Sequence, residues 1–156
     1  MKDLVIQCKE YIAQGGESII KRAPRRMPRL AEIDLGEVEL YMLENKDASF
    51  NELLFRMIDR TGQKDSDVYK KARIDRRLFS KIRSSKKYVP CKKTVIALCL
   101  ALELSRADAD LLLTSAGYSL SGSDEYDLAI SFCLSRRVFD FNDINEMLYD
   151  LGFDVF

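Results

Sequence analysis

Twelve basic residues crowd into thirty positions of this 156-residue chain: Lys64, Lys70, Lys71, Arg73, Arg76, Arg77, Lys81, Arg83, Lys86, Lys87, Lys92 and Lys93. Only Asp65, Asp67 and Asp75 oppose them, so residues 64–93 carry a net +9. Guanidinium and ammonium groups at this density do one kind of chemistry well: they bind phosphate and release its counterions. Residues 1–63 carry ten basic and eleven acidic side chains; residues 94–156 carry three and eleven. The formal net charge of zero therefore hides a positive block beside a −8 segment.

Other chemistries find few residues. The chain has no histidine, which removes His-based triads, general bases and metal ligands together. Ser80 stands next to Lys81, but a nucleophilic serine needs burial and an oxyanion hole, which an exposed basic helix does not offer. Asp108 and Asp110 read as helix-start and surface charges. No Gly-rich phosphate loop or metal constellation occurs, so no catalytic residue, cofactor, metal or small-molecule substrate is expected. Cys8, Cys91, Cys99 and Cys133 form no C-x-x-C pair and read as reduced thiols.

The composition, 47% apolar and 32% charged, is that of a soluble globular protein. A chain of this length buries a sufficient core without disulfides or metal. Its longest strongly apolar run, Val95–Leu104, is far short of the ~20 residues a bilayer needs. Met1–Ala13 contains Asp3, Lys9 and Glu10 and lacks a signal-peptide pattern. The expected location is cytoplasmic, with no membrane contact.

The elements that must position the basic block follow from periodicity. Leu4, Val5, Cys8, Tyr11 and Ile12 share one helical face, ending at Gly15-Gly16. Ala23–Arg29 is a proline-punctuated basic loop; Arg22–Arg29 reads as a solvated linker, with a minor-groove arm as the sharper alternative. Leu30–Ala48 has no clean period, and Val38, Leu40 and Met42 could alternate as a short strand or belong to a linker. Ser49-Phe-Asn-Glu52 is a capping box. It opens a helix with Phe50, Leu53, Leu54, Met57 and Ile58 inward, ending at Gly62. A short helix over Asp65–Ala72 turns inward Val68 and Ala72. A tight turn at Arg73-Ile74 leads to Asp75, a good N-cap, and to a helix reaching about Arg83 with Leu78, Phe79 and Ile82 on one face. Pro90 precedes an apolar helix that should be central and buried. Ser105 starts a fifth helix of this run, which stops at Gly117. Ser123 is expected to cap a further helix, and Asn142 or Asp143 to start the last, ending at Gly152.

The segment "KDSDVYKKARIDRRLFSKIR" is thus a short helix, a tight turn and a second short helix. With "YVPCKKTVIALCLALELS" and "ADLLLTSAGYSLS" downstream, residues 49–121 resemble the phage-repressor (Xre-type, lambda-repressor-like) helix-turn-helix family. More narrowly, the chain to about Leu151 resembles the variant of that fold found C-terminal to some bacterial macro domains. The first 48 residues are too few for a macro domain.

The resemblance implies an all-α fold: a five-helix helix-turn-helix domain over 49–121, an N-terminal helix and linker over 1–48, and two extra helices over 122–156. It implies a bacterial transcriptional regulator that binds double-stranded DNA, with helix 75–83 in the major groove. Arg76, Arg77 and Ser80, with Lys81 nearby, would face base edges. Lys64 near the start of the preceding helix, and Arg83, Lys86 and Lys87 around the following loop, would meet phosphate. A dimer is expected, and residues 123–156 are the candidate surface for a homodimer or protein partner. Three positions depart from the family: Asp65 stands where a phosphate-contacting Gln is common, Tyr69 where a small residue is usual, and Arg73 where the turn usually has Gly. Asp65, Tyr69 and the acidic tail favour the alternative, a protein-interaction module built on the same fold.

Overall fold

Side-chain caps set most of the helix starts. The computed structural model describes residues 2–13 and 34–156, and these form helices with no strand among them. The order is α1 (Lys2–Ala13), α2 (Leu35–Glu44), α3 (Phe50–Thr61), α4 (Asp65–Lys71), α5 (Arg76–Ser84), α6 (Lys92–Ala101), α7 (Arg106–Ser115), α8 (Glu125–Arg136) and α9 (Phe141–Asp150). Ser49 forms the full capping box with Glu52 at the start of α3. Asp75 accepts from the Arg77 backbone N–H at 2.6 Å and opens α5. Ser105 accepts from the Asp108 backbone N–H and opens α7. Gly62, Gly117 and Gly152 sit at positive φ just after α3, α7 and α9, where glycine has no Cβ to clash.

Three starts differ from expectation. Residues 35–44 are neither strand nor linker: they are the helix α2, capped by Asp34, whose carboxylate accepts from the Gly36 backbone N–H. Asp124 rather than Ser123 caps α8, accepting from the Asp127 backbone N–H at 2.8 Å. Asp140 rather than Asn142 or Asp143 caps α9, accepting from both their backbone N–H groups. For α8 and α9 a carboxylate, one residue after the expected cap in the first and two to three residues before the expected starts in the second, takes the capping position. The Gly15-Gly16 stop, the Ala23–Arg29 loop and the Arg22–Arg29 stretch lie outside the described residues.

One apolar core runs through α1 and α3 to α9. Its centre is α6, in which Val95 to Ala101 are all buried; it packs on α4 and α7. Helix α1 packs on α8 and α9. Val5 and Cys8 are buried there, and Tyr11 meets Phe132 edge to face at 5.9 Å. The apolar side chains Ile130, Phe132, Ile144, Met147 and Leu148 of α8 and α9 are likewise buried in this core. Asp127, with its side chain 5% exposed, holds Lys92 at 2.6 Å and the Ser121 backbone N–H at 2.8 Å, so α8 is tied to the start of α6. Among the described residues no helix is long and apolar enough to cross a membrane.

Candidate functional site

The two short helices α4 and α5 hold the most basic surface, and their angle is fixed from inside. Phe79 and Ile82 of α5 are buried. Phe79 lies between Phe55 of α3, 6.0 Å away edge to face, and Tyr69 of α4, 5.6 Å away. Tyr69 is therefore a half-buried wedge between α4 and α5. Val68 and Ala72 anchor α4 on the same core. Buried Asn51 of α3 donates its side-chain amide to the carbonyl of Ile82. Asn51 was not singled out in the sequence, and an Asn one residue inside a capping box gives no signal that it reaches thirty-one residues on.

The turn is held from the other side. Arg73 has φ +56°, a left-handed conformation that strains any residue with a Cβ. Its guanidinium donates to Asn142 Oδ1 at 2.9 Å, lies near the Phe156 carbonyl at 3.5 Å, and sits 5.9 Å from the centre of the Phe141 ring. Phe156 in turn exchanges two hydrogen bonds with Asn145 and stacks edge to face on Phe141. Helix α9 and the last residues thus brace the α4–α5 turn.

The basic block divides into two sets. Lys71 pairs with Glu103 at 3.4 Å, Arg83 with Asp65 at 2.6 Å and Lys92 with Asp127 at 2.6 Å. Lys93 donates to the Val155 carbonyl at 2.7 Å, and Arg73 is held as described. These five side chains, along with a cleft of about 480 Å³ flanked by Lys92, Lys93, Tyr126 and Asp154, belong to the joints of the fold. Lys64, Lys70, Arg76, Arg77, Lys86 and Lys87 are exposed and have no side-chain ion-pair or hydrogen-bond partner among the described residues. Lys81 is exposed and lies 4.3 Å over the Tyr88 ring, and Ser80 is exposed beside it.

Of the eight residues singled out in the sequence, Arg76, Arg77, Ser80 and Lys81 come together on the outer face of α5. Lys64 is the N-cap residue of α4, without a side-chain cap bond, and Lys86 and Lys87 are in the loop after α5. Arg83 differs: besides its pair with Asp65 it lies 4.0 Å over the Phe55 ring. Asp65, the residue that would repel phosphate, is thereby faced by a guanidinium.

Among the described residues no group of three or more Cys, Asp or Glu is placed to hold a metal ion. Cys8, Cys99 and Cys133 are buried and their thiols are pushed up to about 11, 12 and 12, chiefly by burial. Cys91, exposed, is held below the ordinary thiol value by its hydrogen bond with Thr94. The chain matches no protein-family model, no curated protein and no solved structure.

Proposed function

We propose that the chain is a helix-turn-helix protein of the phage-repressor type that binds double-stranded DNA and regulates transcription. In this reading α4 crosses the backbone and α5 enters the major groove. One observation carries it. Arg76, Arg77, Ser80 and Lys81 stand exposed together on α5, while Phe79 and Ile82 bury its other face. Exposed arginines at the start of such a helix suit the O6 and N7 atoms of guanine, each good pair giving ~1–3 kcal/mol of discrimination. Lys64, Lys86 and Lys87 flank this face in sequence and suit phosphate.

The test is fluorescence anisotropy on random-sequence duplex DNA, with salt titrated. Micromolar binding that is lost in an Arg76→Glu/Arg77→Glu variant supports the reading. Absence of binding at low salt overturns it. A second reading, a protein-interaction module, draws on Asp65: its carboxylate occupies the first position of α4, where a DNA reader places a phosphate contact. That reading expects no DNA binding and loss of a protein partner instead.

A further inference from the structure

Helix α2 is the one described helix with no buried residue. Leu35, Val38, Leu40, Tyr41, Met42 and Leu43 are all 40–76% exposed. The other exposed large apolar side chains, such as Ile6, Val89 and Leu111, are scattered singly on different elements, which is ordinary for a protein surface. Six within ten residues is a concentration of another kind, and four of them, Leu35, Val38, Tyr41 and Met42, share one side of the helix; exposed apolar patches mark interaction sites.

We propose that α2 is a self-association helix that pairs antiparallel with α2 of a second copy of this chain. The spacing of its side chains gives the seam. Leu35, Val38 and Met42 fall at i, i+3 and i+7 with Tyr41 alongside, the spacing of a short two-helix seam. The next seam position is Asn45, the C-cap.

Charge selects both the occupant and the orientation. The helix carries Glu37, Glu39 and Glu44 and no basic residue, so nucleic acid is a poor occupant. Asp34 precedes it and Lys46 follows it. Parallel pairing in register would set Glu37 against Glu37 and Glu44 against Glu44. Antiparallel pairing centred on Leu40 sets Val38 against Met42 and brings Asp34 beside Lys46 of the second copy at both ends. In that register Glu37 meets Leu43, Glu39 meets Tyr41 and Glu44 meets Gly36, so no carboxylate opposes another. Opposed helix dipoles favour the same orientation.

Self-association through α2 is independent of DNA binding and involves none of residues 123–156. It would place two copies of α5 in one particle, which reading two half-sites requires. A seam of under three turns is smaller than the ~800 Å² per partner of a standard interface, so the association is weak.

Sedimentation equilibrium on the full chain from about 1 µM to about 500 µM tests it. The weight-average mass should rise from the monomer value towards twice that value. A Leu35→Glu/Met42→Glu variant should stay monomeric throughout, with an unchanged thermal midpoint because neither side chain is buried. A mixture of a Val38→Cys chain and a Met42→Cys chain, both in a Cys91→Ser background, should oxidise to a covalent pair, while either alone should not. A monomer at every concentration overturns the proposal, as does self-association that the Glu variant retains. Crosslinking of the Val38→Cys chain with itself overturns the antiparallel orientation.

Discussion

Arg83 at the end of α5 reaches Asp65 at the start of α4 at 2.6 Å, with its guanidinium 4.0 Å above the Phe55 ring of α3. One side chain therefore joins three helices around the base of the candidate reading head. The arginine is 49% exposed and the aspartate 38%, so solvent screens the pair and the ion-pair part is worth at most ~1 kcal/mol. The cation–π contact adds ~0.5–1 kcal/mol. Arg83→Ala is expected to lose about 1–2 kcal/mol of stability in urea denaturation. Asp65→Asn is expected to lose less and to tighten DNA binding by about 3- to 10-fold, because it removes a charge that repels phosphate and releases Arg83. Equal or weaker binding by Asp65→Asn in the same anisotropy assay would contradict this account of Asp65.

Asn51 makes the buried link from α3 to α5. Truncation to Ala leaves the Ile82 carbonyl without this donor in a dry environment, which costs about 1–3 kcal/mol. Asn51→Ala should therefore destabilise the fold by about 2 kcal/mol and also weaken DNA binding without removing any charge. Hydrogen exchange of the α5 amides would read the loosened helix directly. Unchanged α5 protection would show that the link is not what holds α5.

Arg73 separates strain from contact. Arg73→Ala keeps the left-handed backbone and loses the bond to Asn142, so it should cost about 1–2 kcal/mol. Arg73→Gly loses the same bond but relieves the backbone, so it should cost about 1 kcal/mol less than Ala. Thermal or urea midpoints of the two variants give the comparison. Gly no better than Ala would mean that the turn stores no strain.

The thiols give a pH dependence with a definite sign. The ordinary thiol value is 9.0, and Cys8, Cys99 and Cys133 are raised to about 11, 12 and 12 by burial. Above pH ~9 the unfolded chain ionises these groups while the folded chain keeps them neutral. Stability is thus fully present below about pH 9 and falls as pH rises towards 12. Tyr126, raised to about 12 mainly by burial, acts in the same direction. The urea midpoint should be lower at pH 10 than at pH 8. At pH 8 a thiol reagent should modify Cys91 first, since it is exposed and its thiolate is favoured by Thr94.

What the sequence makes legible here is local chemistry. Ser49 with Glu52, Gly62, and Asp75 before Arg77 act within four residues of themselves, and each does what its position requires. The buried faces of α3, α5 and α6 follow from spacing in the same way. Helix α2 is not legible by that route, because a period test presumes one buried face and Leu35–Glu44 carries apolar side chains on two exposed ones. Ser123 next to Asp124, and Asp140 before Asn142 and Asp143, offer adjacent competent caps, so spacing alone misplaces the start. The division of the basic block is least legible of all. Arg73 meets Asn142, Lys92 meets Asp127 and Lys93 meets Val155 across distances in sequence that only the fold closes.

That division is also the most direct test. Random-sequence duplex DNA should be titrated from about 50 to 200 mM salt with the wild type, an Arg76→Ala/Arg77→Ala variant and a Lys71→Ala/Lys93→Ala variant. About five phosphate contacts give a wild-type slope of log K against log salt of roughly −4 to −5. Removing the two exposed arginines at the start of α5 should weaken binding and flatten the slope, by up to about 2 if both touch phosphate. Removing the two lysines that the fold already holds should leave the slope unchanged. No binding at 50 mM salt, or equal losses in the two variants, would contradict the assignment of the outer face of α5 as the nucleic-acid surface.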